Sequence, residues 1–591
     1  MTTQNRLGSF LFWSALLLLV GIRSSTVASA QSSSGKTSAY QRGVAAIQRA
    51  DLPSAQKHFE DAIKLNPRNA QAHNLLGWVL LSEGQVDAAV SELKTALRLK
   101  PGLVEAHVNL ASALVKKGDV QSAIATAREA VRLSPASAEA HRVLGRSLSF
   151  AGQGDEAIQE LRQAVQLQSS NPELHDELGS LLAQKQQFAE AESEFQKAIE
   201  IQPAYEPAQL HLGGAQMATG NLEGAKRALT KAAELNPRDA IAHFYLGMAF
   251  EKLGRESDAV EAYRRAAELS PQTAAISTRL GLLLQRMGDP EAAAGAFRKS
   301  LELSPNDPEA HNNLGVALLQ HGEADGAAKE FQMAVELRPG DAGFIGNLGM
   351  AYLQRADFDA AIQQLRKAIQ LSPSEADLHY SLGLALKLKD NLPDAIAELR
   401  EATRLDPSLP DPYYTLGVTL WQKGDFSDAT EALRSAIRIK PDYAEAYYTL
   451  GSVLKQMKKL PEAADALRQA IRLQPEFLGA HTNLASVLRE MGDATGADAE
   501  TKQAEVISKQ NASLQGATFA TNSGKRLLGA GDVDGAISQF RTAIRLSPGY
   551  APAHFQLAVA LSRKGQKDES QQEFSKAAEL DPKLKPPSSS N

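Results

Sequence analysis

PDPYYTLGVTLWQKGDFSDATEALRSAIRIKPDY, residues 410–443, is followed without a break by AEAYYTLGSVLKQMKKLPEAADALRQAIRLQPEF, residues 444–477. The two stretches are one pattern written twice: YYTLG starts at Tyr413 and Tyr447, alanine falls at Ala429 and Ala463, and proline closes at Pro441 and Pro475. Working outward, the same 34-residue unit runs sixteen times from residue 36 almost to the C-terminus. The proline column extends from Pro67 to Pro582, broken only by Ser169 and Lys509. Twenty-four residues before each closing position stands glycine or alanine, from Gly43 to Ala558, and twelve further on stands alanine, except Ser570 in the last unit.

Within a unit, bulky residues recur at helical spacing in two runs, as in Tyr245, Leu246, Met248, Phe250 and then Val260, Tyr263, Ala266, Leu269, with Gly254 between them. Two amphipathic helices joined by a tight turn and stopped by proline follow from this pattern. Small residues at the eighth and twentieth positions predict a close helix–helix approach. The columns resemble the tetratricopeptide repeat, a 34-residue helix-turn-helix with a small residue at position 8, alanine at 20 and 27, and proline at 32. The resemblance implies an all-α fold, a right-handed α-solenoid of about sixteen units with a concave groove.

Fourteen units fill residues 36–511 and two more fill 517–584. Residues 512–516 are an insertion in a region where Thr501, Glu505 and Lys509 replace the usual bulky residues and proline, so the helix is expected to overrun and a hinge or a phase change is predicted there, the alternative being an insertion that the solenoid absorbs. Residues 585–591 read as a disordered tail. At the other end, Arg6 precedes an apolar run from Phe10 to Ile22, and Ala28, Ser29 and Ala30 follow. That order predicts a signal peptide over 1–30, a short linker at 31–35 and an exported, periplasmic chain, with a secreted chain or an uncleaved N-terminal anchor as the alternatives.

The repeats leave no length for a catalytic domain, and no nucleophile elbow or Walker-type loop is present. With no cysteine, disulfides, thiolate catalysis and lipidation at a mature N-terminus are excluded. The formal net charge of −6 is spread among interspersed acids and bases, which argues against a nucleic-acid groove. Neither a cofactor nor a metal is expected. Nine of the twelve histidines share position 4 and read as packing residues, and the cluster Glu173, His175, Asp176, Glu177 reads as a helix start.

What remains is binding of protein or peptide partners. The family's groove is formed mainly by positions 2, 5, 9, 12 and 13 of each first helix. That register puts Tyr380, Tyr414 and Tyr448 at position 5 of three consecutive units, with Trp421 at position 12 of the middle one. Tyrosine and tryptophan supply contact area and a polar tip at low entropic cost. Position 6 carries Asn109, Asn313, Asn347 and Asn483, in segments similar to the repeats of O-linked N-acetylglucosamine transferases, where such asparagines grip a peptide backbone. The ladder is interrupted here by Leu75, Val143, Glu177 and others. The favoured expectation is a non-enzymatic exported scaffold in envelope complex assembly or secretion. The alternative is a substrate-targeting subunit for a separate glycosyltransferase or other modifying enzyme.

Overall fold

A computed structural model describes residues 38–584. The expected signal peptide, linker and C-terminal tail lie outside the described residues. Among those residues the backbone forms 31 helices and no strand. A first helix such as Ala70–Ser82 is followed by a second, Val86–Leu99, and the pair repeats along the chain as an all-α solenoid. The count is one short of sixteen pairs because Ala494–Gly529, a helix of 36 residues, serves as both the second helix of one repeat and the first of the next.

Local chemistry explains the pairs. Between the two helices the chain takes a left-handed residue, which glycine adopts without steric cost, as at Gly84 (φ 82°) and Gly424 (φ 95°). Ala50, Gln186, Ala356, Asp390 and Lys458 hold the same conformation, with φ from 58° to 62°, although each carries a Cβ. Second helices end because the residue before proline is driven out of the helical region. Lys100, before Pro101, has φ −140° and ψ 85°.

Inside each pair the glycine at position 8 lies under a bulky residue at position 24. A Cβ on Gly43 would stand 2.6 Å from the Phe59 ring, and one on Gly383 would stand 2.7 Å from Leu399 Cγ. Where position 8 is alanine the partner shrinks in two cases, Ala111 with Ala127 and Ala485 with Thr501. The position-20 alanines, from Ala55 to Ala536, are completely buried.

The chain divides into two compact units, Met1–Pro305 and Asn306–Asn591. In the first, a core cluster around Leu144, Leu148, Leu161, Leu178 and Phe195 joins successive repeats. In the second, Leu416, Leu433, Leu450, Leu467 and Leu484 do the same. Among the described residues no helix is long and apolar enough to cross a membrane.

Candidate functional site

The tyrosine register falls in the second unit, on the first helices Ala376–Leu388, Pro410–Lys423 and Ala444–Gln456. Tyr380, Tyr414, Tyr448 and Trp421 are all half-buried and pack by their inner edges against the core of that unit. Each helix forms for the same reason: leucine, glycine and a further apolar residue at positions 7, 8 and 11 face the core, which leaves position 5 beside them at the rim.

Two residues that the sequence reading did not single out complete the aromatic surface. Tyr443 and Phe477 sit at position 34, just before the next first helix. The Tyr414 and Tyr443 rings are 5.0 Å apart, and the Tyr448 and Phe477 rings 4.8 Å apart, both tilted. Such pairs fix ring orientation. The Tyr443 hydroxyl donates to Asp411 Oδ1 at 2.9 Å, and the Lys440 ammonium lies 4.6 Å from its ring centroid. Burial raises the Tyr443 pKa, and the bond to Asp411 adds to it, so this phenol is a neutral donor. Trp421 Nε1 donates to Gln456 Oε1 of the next repeat at 2.9 Å.

The asparagines occupy a different setting. Asn109 Nδ2 donates to Asn74 Oδ1 at 3.0 Å, and Asn347 Nδ2 to Asn312 Oδ1 at 2.8 Å. Asn483 Nδ2 donates to Ser452 Oγ at 2.9 Å. Each of these amides bridges to the preceding repeat and so commits an N–H that a peptide carbonyl would otherwise use. Asn313 is half-buried at the same register.

The acidic and histidine side chains of the cluster Glu173, His175, Asp176, Glu177 turn to three different partners. His175 pairs through Nδ1 with Glu194 Oε2 at 2.6 Å and through Nε2 with the Ser169 carbonyl at 3.1 Å. Asp176 accepts from His211 Nδ1 at 2.8 Å. Glu173 and Glu177 both accept from the buried Arg142, at 3.2 and 2.5 Å. Burial works to raise the Glu177 pKa, but the Arg142 charge outweighs it and holds the carboxyl below its usual range. Among the described residues no group of three or more His, Cys, Asp or Glu side chains is arranged to hold a metal.

Seven of the nine position-4 histidines repeat one contact to a glutamate. His73, His141, His379 and His554 each set Nδ1 2.6 Å from a glutamate nineteen residues on (Glu92, Glu160, Glu398, Glu573). Their Nε2 atoms face the carbonyls of Pro67, Pro135, Pro373 and Pro548 at 2.9–3.1 Å. Each histidine thus clips its own second helix to the end of the preceding repeat. The sequence carries a signal for this: glutamate at position 23 occurs in seven units, and every one has histidine at position 4.

Tetratricopeptide-repeat family models match residues 40–104, 414–476 and 448–504, a second set 349–390 and 386–424, and a third 80–146 and 527–586. The chain is a tetratricopeptide-repeat protein. The model of the C-terminal domain of cilia and flagella-associated protein 70 also matches, over residues 149–344. Among solved structures this repeat protein is similar to the APC/C hetero-tetramer Cut9–Hcn1, at 16% identity over 76% of this chain and 95% of that one, with a TM-score of 0.36. It is also similar to MamA, at 27% identity over 28% of this chain and 96% of that one, TM-score 0.28. YrrB, described as a tetratricopeptide-repeat protein with an unusual peptide-binding site, shares 24% identity over 32% of this chain and 96% of its own, TM-score 0.27. No curated protein matches the chain.

Proposed function

We propose that the chain is a non-enzymatic scaffold that holds extended peptide segments of other proteins against the first helices of residues 376–456, within an exported complex of the cell envelope. The tetratricopeptide fold is typically a non-catalytic interaction scaffold, so protein partners are its general business. The finer reading is supported by one observation above others: Tyr380, Tyr414 and Tyr448 stand half-buried at one register of three consecutive repeats, two of them held by a second ring. Half-buried, pre-oriented aromatic side chains lose little entropy on binding and dominate interaction hot spots. Export rests on Arg6, the apolar run Phe10 to Ile22 and the small residues Ala28, Ser29 and Ala30.

The test is affinity capture from the envelope fraction of the source cell, using the full chain beside the triple variant Tyr380→Ala, Tyr414→Ala, Tyr448→Ala. Truncating hot-spot aromatics costs about 2 kcal/mol or more each, so a partner held by this wall disappears from the variant's capture while its far-UV circular dichroism is unchanged. Equal capture by both proteins contradicts the reading.

A further inference from the structure

Two rows of charge flank the tyrosines, and they are not equivalent. Positions 2, 5, 9 and 12 of a helix lie on one face, so each tyrosine has a position-2 residue one turn before it and a position-12 residue about 10 Å further along the helix axis. The position-2 row reads Asp377, Asp411 and Glu445, all exposed, with Asp411 already accepting from Tyr443. The position-12 row reads Lys387, Trp421, Lys455 and Arg489. Lys387 is half-buried, has no hydrogen-bond or ion-pair partner among the described residues, and burial lowers its pKa. Lys455 is half-buried too, and its ammonium meets only the neutral hydroxyl of Ser486, at 2.7 Å.

Lys455 also feels the Glu490 carboxylate, which is bonded to Lys458, so Lys387 is the ammonium without a counter-charge and Lys455 the one without a direct ion pair. Partly desolvated ammonium groups that lack a direct carboxylate contact gain most from an incoming anion, whereas exposed carboxylates are already well hydrated. The row of acids repels a second anion from the opposite side and so fixes which edge of a bound segment carries its charge. Building on the proposed peptide-binding role, we infer that the segment held by this wall is acidic: an extended peptide whose carboxylates reach Lys387 and Lys455 while an apolar side chain between them lies on Tyr414. Packed helices lie about 10 Å apart; taking that as the step between first helices of successive repeats, the two lysines are separated by about 20 Å. In an extended chain rising about 3.3 Å per residue, that distance places the two carboxylates about six residues apart.

The experiment uses three fluorescein-labelled twelve-residue peptides with a central leucine-proline pair and, six residues apart, two glutamates, two glutamines or two lysines. Fluorescence anisotropy at low and moderate salt reads their affinity for the full chain, for Lys387→Gln/Lys455→Gln and for the tyrosine triple variant. Expected is a preference of tenfold or more for the glutamate peptide, weakened by salt, abolished in the lysine variant and accompanied by general loss in the tyrosine variant. Equal binding of the three peptides, an unchanged preference in the lysine variant, or no binding of the glutamate peptide overturns the inference. The first two outcomes leave the wall as a charge-blind peptide site if the tyrosine variant still loses binding. Loss of the peptide site itself is read separately, from the partner capture by the tyrosine variant.

Discussion

At the scale of single residues, the glycine at position 8 is a packing residue. A methyl group on Gly383 meets Leu399 Cγ at 2.7 Å, well inside van der Waals contact, and the leucine is completely buried. Gly383→Ala is therefore expected to destabilise the second unit by about 1–3 kcal/mol, read from urea unfolding. Adding Leu399→Ala reproduces the pairing of Ala111 with Ala127, so the double variant is expected to cost less than the sum of the two single changes. Strict additivity contradicts the account. The converse holds at the turn: Ala356 sits at φ 59°, and Ala356→Gly is expected to raise stability by up to about 1 kcal/mol, the relieved strain being partly offset by the freer unfolded chain. The need for small residues at position 8 was legible in the sequence. Its opposing residue, sixteen places on, was not, because Phe59, Leu93 and Tyr263 look like any other core residue until the helices are packed.

At the scale of helices, His175 titrates as part of a pair with Glu194. Both ring nitrogens of His175 face acceptors, and a neutral imidazole has one N–H, so the contact is best satisfied as imidazolium and carboxylate. The bond to Glu194 raises the His175 pKa above its ordinary 6.5. Burial works to raise the Glu194 pKa, but the bonds from His175 and Lys197 outweigh it and hold it below its ordinary 4.5. The raised histidine contributes stability that is complete below about pH 6.5 and is lost as pH rises through its folded value; the lowered glutamate contributes stability that is complete above about pH 4.5 and is lost on acidification. The pair is strongest between those limits. Histidine-selective NMR is expected to show the His175 titration moving down in Glu194→Gln, and an unmoved midpoint refutes the pairing.

The long helix Ala494–Gly529 is the other element with a prediction. The overrun expected from Thr501, Glu505 and Lys509 is what the backbone does, and residues 512–516 lie inside it. Between Ala497 and Ala517 only Ile507 is buried. Little apolar burial supports that stretch, and we propose that opening is cheapest there. Hydrogen exchange is expected to be faster for amides 502–516 than for Ala444–Gln456, with equal protection speaking against a hinge. Helix starts and stops were readable because glycine, alanine and proline act locally. Tyr443 and Phe477 escaped because position 34 lies outside the helix, and only packing brings it against position 5.

At the scale of the whole molecule, each compact unit has its own inner chemistry: ion pairs around Arg142 in the unit ending at Pro305, and the aromatic wall with its unpaired lysine in the unit beginning at Asn306. The proposed export has a simple check, since N-terminal sequencing of protein recovered from cells is expected to begin at Gln31, whereas an intact Met1 contradicts cleavage. The proposed binding role of this wall is most directly tested by position-specific photo-cross-linking in the source cell, with a photoreactive phenylalanine analogue at Tyr414 or, as the outer control, at the exposed second-helix residue Arg434. The account predicts a discrete partner adduct from position 414 and none from 434. An adduct from 434 alone would put the partner on the opposite helix and contradict it.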